Sequence, residues 1–508
     1  MISLEAIRKR SRLEIDNCNK SHDLAGKTAR GGVISLASNL VKVFTQLFIT
    51  AILSRILSVN DYGLMAMSWA LIAFLAMFQD MGMATATLRE RVIDHRFVST
   101  LFWVGLGVSL IIYLICCALS PLASLFYRDD RLTAIVIFSA LTIPLAALGG
   151  QQETLLTRQG RFLEIQTIRT GSQALGGLVA IVAAWLLNAG YWALAIQGVS
   201  ALVIANIGFW SRSGWIPGRP SSLRSVRGAF SFGGYLMLFN AVNYAHRQMD
   251  NVIVGRVLGA ASLGLYSRAY NIFMLPLTAI TWPLGGVVIP LMARSQDDFD
   301  KLDRIYRSAL ASIFVLTAPV AGAFFLFAEE AVTILYGSKW LPSADVLRVL
   351  AIAILWQPAY TSGGWIEIAL GRTKRHFHAS VVAAGVYLIC YLIGVRHGIF
   401  GIAVAYCVGN GLVILPWLWW CTRGTNTTLR GIWSSMSMPS LALLSATAIT
   451  IATAPHIRLD WWPSLLCRGA IYGCSYLIFI LLCARLNKGW FSLIEGSISK
   501  LFSNRKAA

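Results

Sequence analysis

Windows of about 20 apolar residues recur along almost the whole chain, each long enough to cross the hydrocarbon of a bilayer as a helix. Lipid supplies no hydrogen-bond partner to an open strand edge, so such windows fold as helices. Fourteen spans are read near 32–57, 62–86, 98–122, 132–150, 170–188, 191–211, 232–258, 265–292, 308–328, 345–369, 377–395, 398–420, 438–455 and 464–484. The expected fold is all-α and integral to a membrane: two pseudo-symmetric six-helix bundles plus two C-terminal helices, about 14 transmembrane helices in all. With 56% hydrophobic and 13% charged residues, a soluble fold with a large core is excluded.

The same pattern is written twice. Gly32, Asn39, Ile52, Arg55, Leu57, Gly63 and Leu64 return 201 residues later as Gly233, Asn240, Ile253, Arg256, Leu258, Gly264 and Leu265. Pro144, Gly149, Gly150, Glu153 and Arg158 return 214 residues later as Pro358, Gly363, Gly364, Glu367 and Arg372. Parallel repetition of a helical bundle describes an alternating-access transporter better than an enzyme. The larger second shift implies extra residues in the second copy, and the acidic loop Asp297–Asp303 is the expected place for them.

Six regions follow. Residues 1–31 form a basic cytoplasmic tail, 32–211 the first six-helix lobe and 212–231 a cytoplasmic linker. Pro217, Gly218 and Pro220 discourage a continuous helix in that linker. Residues 232–420 form the second lobe, 421–485 accessory helices 13 and 14, and 486–508 a cytoplasmic C-terminal tail. There Trp490, Ile494, Ile498, Leu501 and Phe502 recur at helical spacing, either as an amphipathic helix on the leaflet or as a frayed end. The N-terminal tail carries Ile7-Arg8-Lys9-Arg10 and no apolar h-region, so the first span is expected to act as its own insertion signal.

The net charge is +20. Loops on the side of the termini hold roughly five times as much Lys and Arg as the opposite loops, which orients both termini toward the cytoplasm. The basic excess is a topology signal first and an attraction for membrane lipid headgroups second, and no nucleic acid is expected as a partner. Nine cysteines without CxxC or Cys/His metal spacing read as small buried hydrophobes, so no metal and no cofactor are expected. HExxH, Walker and GxSxG motifs are absent, and the outer loops are too short for a catalytic domain. An enzyme is not expected.

Polar residues gather on two helical faces. The first span carries Ser35, Ser38, Asn39, Lys42 and Gln46, and the seventh Asn240, Asn243, Arg247, Asp250 and Asn251. Each charge at membrane depth costs roughly 2.5–3.5 kcal/mol on insertion scales. Together the stripes imply a wet cavity lined by these two spans, set against helix–helix glue by hydrogen bonds. Asn39, Lys42, Gln46, Asn240, Asn243 and Arg247 are the candidate substrate-binding residues. Arg247 offers an anion a planar two-bond fork, Lys42 a point charge. Asp250, three residues on, either neutralises Arg247 or responds to a coupling cation or proton.

Other charges carry paired readings. Arg55 and Arg256, near the outer ends of the first and seventh spans, either snorkel to headgroups or close an outer gate with acids. Glu153 and Glu367, near the inner ends of the fourth and tenth spans, either form structural pairs with Arg158 and Arg372 or make an inner gate. Asp80, with Gly82 beside it, reads as a cap or packing residue of the second span or as a ligand contact. Arg268 and Arg348 stay open between cavity and snorkelling roles, and His246 reads as a buried, hydrogen-bonded histidine.

The stretch Gly31-Gly32-Val33-Ile34-Ser35-Leu36-Ala37-Ser38-Asn39 resembles the polysaccharide-exporter branch of the multidrug/oligosaccharidyl-lipid/polysaccharide superfamily. So do Ser54-Arg55-Ile56-Leu57, Asp61-Tyr62-Gly63-Leu64-Met65, Asp80-Met81-Gly82 and the run from Met249-Asp250-Asn251 to Ala269-Tyr270. That branch holds the Wzx-type flippases of exopolysaccharide, capsule and O-antigen units, and the likeness covers roughly residues 28 to 420. The resemblance implies two six-helix lobes around a central cavity. It also implies a cargo, an oligosaccharide repeat unit on undecaprenyl diphosphate, moved to the outer leaflet of a bacterial inner membrane. An ion gradient would drive it, with H+ or Na+ left open, and a polysaccharide polymerase and export machinery would be neighbours.

Three rivals remain at this stage. An ion-coupled multidrug exporter of the same superfamily would carry a more acidic, aromatic cavity, which Lys42 and Arg247 oppose. A membrane polymerase would need a large outer loop with catalytic groups. An assembly scaffold has no need for charges at membrane depth.

Overall fold

The structure, a computed structural model, describes residue 15 and residues 25–79, 83–90, 92–221, 227–457, 460–487 and 490. Among these, no strand occurs. The first six expected spans are built by α1 (Ala25–Ile56), α2 (Val59–Ala76), α3 (Met83–Arg89), α4 (His95–Tyr127), α5 (Arg131–Ala140), α6 (Thr142–Arg158), α7 (Phe162–Leu186) and α8 (Tyr191–Ser213). Then α9 (Arg227–Pro276) runs through a π turn (Leu277–Thr281) into α10 (Trp282–Ala293). After it come α11 (Phe299–Leu326), α12 (Ala328–Tyr336), α13 (Pro342–Ala353), α14 (Gln357–Ala369), α15 (Thr373–Gly394), α16 (Gly398–Thr422), α17 (Leu429–Thr453) and α18 (Trp461–Leu486). Helix therefore occupies every span read from the sequence. Among the described residues, 9 stretches are long and apolar enough to cross a membrane; Thr373–Thr422 holds two expected spans, and His246–Ala293 holds one and the second half of another. The fold is an all-α membrane fold. Contacts divide the chain into two compact units, Met1–Gly264 and Leu265–Ala508.

The repeat is visible in the backbone. Ser58 opens α2 as an extended N-cap (φ −77°, ψ 161°), and its hydroxyl accepts from the Asp61 N–H at 3.2 Å. The Asp61 carboxylate accepts in return from the Ser58 N–H at 2.8 Å, completing a capping box. At the position 201 further on, Gly259 breaks α9 with φ 83° and ψ 178°. An L side chain is strained there, so glycine does in the second copy what the N-cap does in the first. The two breaks meet inside the first unit. A Cβ at Gly63 would fall on the Ala260 backbone carbonyl, and a Cβ at Gly264 on that of Val59. Positions 59 and 260 correspond in the repeat, as do 63 and 264, so the contact is reciprocal, like that across a two-fold axis.

The extra residues of the second copy lie elsewhere than expected. Residues 297–303 lead directly into α11, which starts at Phe299 with the Asp298 carboxylate capping the Lys301 N–H at 3.0 Å. Between α4 and α5 only residues 128–130 intervene, whereas residues 327–341 separate α11 from α13 and fold into α12 and a 3-10 turn (Ser338–Trp340). Ion pairs fix that insertion. Glu329 pairs with Arg348 of α13 at 3.0 Å, and Glu330 with Arg468 of α18 at 2.9 Å.

Helix-interior prolines explain how the second unit holds its last two helices. A proline has no N–H for the carbonyl four residues earlier, and lipid offers no water in its place. For Pro319 in α11 that carbonyl is Val315, which accepts from the Tyr476 hydroxyl of α18 at 2.9 Å. For Pro439 in α17 it is Ser435, which accepts from the Trp490 indole at 3.1 Å. In the first unit the same vacancy left by Pro121, at Cys117, is filled by Ser120 Oγ at 2.8 Å. Tyr476→Phe, which keeps the ring and removes the donor, is expected to lower stability by about 1–2 kcal/mol. Thermal unfolding of the purified protein checks this, and an unchanged midpoint would show that another group serves Val315.

Candidate functional site

The structure describes the C-terminal part of both stripes. Lys42 and Gln46 are exposed on α1, and Arg247 is exposed on α9. Asn39, Asn240 and Asn243 lie on described helix, with side chains outside the described set, and Asp80 and residues 491–508 lie outside the described residues altogether. Gln46 is tied on two sides. Its Nε2 donates to Thr50 Oγ1 at 3.2 Å, and its Oε1 accepts from Gln173 Nε2 of α7. For Gln46 the hydrogen-bonded glue between helices is thus real, and it leaves the side chain exposed as well.

Arg247 and Asp250 part company in burial. Asp250 is only 2% exposed and accepts from the Asn251 N–H at 2.8 Å. Its repeat position in α1 is Ile49, buried where α1 packs on Gly177 of α7. Spacing put Asp250 in the polar stripe. Packing puts it on the covered side of the same helix, where a carboxylate replaces a hydrophobe.

The matched arginines behave differently. Arg55 turns back to donate to the Ala51 carbonyl at 2.7 Å, whereas Arg256 lies over the Phe126 ring of α4 at 5.5 Å, a cation–π contact. Arg348 is an ion-pair residue, bonded to Asp345 at 2.9 Å as well as to Glu329, and Arg268 stands over Tyr336 at 5.9 Å.

The repeated glutamates find other partners than the sequence expectation. Glu153 pairs with Arg169 of α7, and Glu367 with Arg375 of α15 at 3.6 Å. Arg158 is instead 5% exposed and donates to the carbonyls of Thr87 at 2.8 Å and Glu90 at 2.5 Å. Arg372 has a different counterpart, Arg161. Each follows a left-handed glycine, Gly371 or Gly160, and each donates to a backbone carbonyl, Arg423 at 2.9 Å or Arg212 at 3.1 Å. The 214 shift holds through Glu367 and then becomes 211, because α14 ends about one turn earlier than α6. Glu153 is partly exposed, but Glu367 is 0% exposed with neither oxygen hydrogen-bonded. Arg375, the group sequence reasoning missed, also bonds the Trp420 and Arg423 carbonyls and stacks on the Trp420 ring at 5.0 Å. Only its place just past the Gly371 turn signalled that it could reach back.

Away from the spans, the Arg131 guanidinium beside Asp129 holds that carboxyl below the usual carboxylate range. Among the described residues, no cluster of His, Cys, Asp and Glu could hold a metal ion.

A doubled helical bundle with exposed cations on apolar helices defines a multi-pass membrane protein of the transporter kind. The chain belongs to the polysaccharide biosynthesis protein family, whose model matches residues 52–345. It is 24% identical over 377 residues to the lipopolysaccharide biosynthesis protein WzxC of Escherichia coli (strain K12), covering 73% of this chain and 76% of that protein. It is 26% identical over 449 residues to the succinoglycan biosynthesis transport protein ExoT of Rhizobium meliloti (strain 1021), covering 86% and 90%. The lipid II flippase MurJ in an inward closed conformation shares the fold, with TM-score 0.70 at 16% identity over 89% of this chain and 99% of that one. The resemblance read from Gly31–Asn39 and Met249–Tyr270 is therefore to the right family, and one of the relatives, ExoT, is a transport protein by name.

Proposed function

We propose that this protein flips an undecaprenyl-diphosphate-linked oligosaccharide repeat unit across the bacterial inner membrane by alternating access, for exopolysaccharide, capsule or lipopolysaccharide assembly. The observation that carries the reading is the exposure of Lys42 and Arg247 on matching apolar helices, in a chain of the polysaccharide biosynthesis family. A cation left exposed at that depth is costly without water or an anion. Lys42 and Arg247 hold the diphosphate, Asn39, Gln46, Asn240 and Asn243 line the same groove, and the prenyl tail stays in lipid. Buried Asp250 is the group at which H+ or Na+ acts. Both termini face the cytoplasm, where the lipid-linked unit is loaded, and the polymerase and export machinery take it up on the far side.

The test is leaflet accessibility of the lipid-linked unit in cells with the protein present, absent or carrying Arg247→Ala. Loss of the protein is expected to strand the unit on the cytoplasmic leaflet. Arg247→Ala at normal abundance is expected to slow its appearance outside roughly ten-fold or more, the worth of a charge-assisted hydrogen bond. Normal translocation without the protein would sink the flippase assignment. A normal rate with Arg247→Ala would remove that residue from the groove.

A further inference from the structure

A cavity of about 230 Å³ opens inside the first unit, where the end of α2 meets α3, α4 and α6. Its walls are mostly small or apolar: Met83, Phe102, Gly105, Ala147 and Gly150. Gly150 supplies depth, since a Cβ there would have nothing within 4 Å. Two carboxamides break the apolar lining. Gln151 is 6% exposed, and one end of its amide is engaged, Oε1 accepting from Thr87 Oγ1 at 3.1 Å. The other end has no partner among the described residues, and neither does the half-buried Gln79 side chain.

We propose that this cavity is a subsite for one neutral sugar ring. Gln151 lines the cavity with its N–H groups unengaged among the described residues, so a ligand or water that accepts them can bind there. Among the described residues no charged side chain lines the cavity, which argues against an anion or a cation. A sugar presents hydroxyls that both donate and accept, as a carboxamide does, and a C–H face that suits Phe102 and Met83. The volume falls below the roughly 300–1,000 Å³ of sites for drug-sized ligands. One ring fits and a chain does not. The subsite rests on the carbohydrate cargo proposed above and would set which terminal sugar is accepted.

The experiment uses the full-length protein in lipid nanodiscs carrying Ala147→Cys. Labelling at position 147 by a small maleimide is read by mass spectrometry, with methyl glycosides of glucose, galactose, mannose and rhamnose as probes. Glycerol and inorganic phosphate are the controls. At least one glycoside is expected to slow labelling, and Gln151→Leu or Gln79→Leu to weaken that protection roughly three- to ten-fold without changing the unprotected rate. Should Gln151→Leu fail to fold, Gln79→Leu carries the comparison from a less buried position. The subsite is overturned if no glycoside protects, if glycerol protects equally, or if both leucine variants leave protection unchanged. Protection without flipping in cells would overturn the flippase reading alone. Flipping without protection would overturn the subsite alone.

Discussion

Arg375→Ala is expected to destabilise the second unit by about 3–5 kcal/mol, the range for removing one partner of a buried ion pair. The guanidinium is the neighbouring charge of Glu367, a carboxylate with 0% exposure and no hydrogen bond to either oxygen. Without it the buried carboxylate keeps only the weaker influence of Arg372, and the Trp420 and Arg423 carbonyls lose a donor as well. The matched experiment is Arg169→Ala, whose acid Glu153 is 23% exposed and pairs with an arginine that is 50% exposed. That change is expected to cost no more than about 1 kcal/mol, since solvent screens the charge left behind. Adding Glu367→Gln to Arg375→Ala is expected to restore part of the loss, because it removes the charge that Arg375 offsets. Thermal unfolding and the folded yield of the three variants, beside the unaltered protein, decide the matter. Equal losses for Arg375→Ala and Arg169→Ala would show that burial does not separate the two pairs.

Gly63→Ala is expected to cost this conformation about 3 kcal/mol, the upper end for overpacking. The added methyl would strike the carbonyl of Ala260, and a backbone atom cannot rotate aside as a side chain can. Gly107→Ala, with nothing within 4 Å of the new Cβ, is the control and is expected to stabilise its helix by about 0.5–1 kcal/mol. The opposite signs make the comparison strict. The reciprocal geometry also predicts a crosslink: Val59 Cγ1, where a cysteine sulfur would stand, lies 3.0 Å from the Cβ position of Gly264. The Val59 carbonyl, closer still to that Cβ, must shift to admit it, so the folded fraction is expected to fall. In that fraction, oxidised Val59→Cys with Gly264→Cys is expected to form a disulfide and to arrest any transport step that separates these helix breaks. A protein that crosslinks fully and still transports would show that the breaks stay together throughout the cycle.

The helices were legible because a bilayer leaves an apolar window one way to satisfy its backbone. The repeat was legible because it rests on glycines, arginines and glutamates whose spacing survives. What sequence spacing could not supply was partners. It joined Glu153 to Arg158 and Glu367 to Arg372 because they stand five apart, but the acids reach across to Arg169 and Arg375 on the next helices. It set Arg247 and Asp250 on one stripe because a step of three shares a helical face, but it did not foretell that Asp250 is buried while Arg247 is exposed. It placed the extra residues in the acidic loop at Asp297, where charge was conspicuous, whereas they form the amphipathic α12 between α11 and α13. Each miss is a matter of what lies across a gap, which a one-dimensional pattern does not encode.

The bond from Tyr476 to the Val315 carbonyl has a meaning for biogenesis. The two residues are 161 apart, so the ninth span leaves the ribosome long before its donor does. At synthesis rates of about 5–20 residues per second, that carbonyl waits roughly ten to thirty seconds for its hydroxyl. During that interval the proline turn of α11 must be served by water or by the insertion machinery. Ser435 waits in the same way for Trp490, 55 residues on. The last two helices thus act as a closing step in assembly, and a chain cut before them would enter the membrane with its ninth span unfinished.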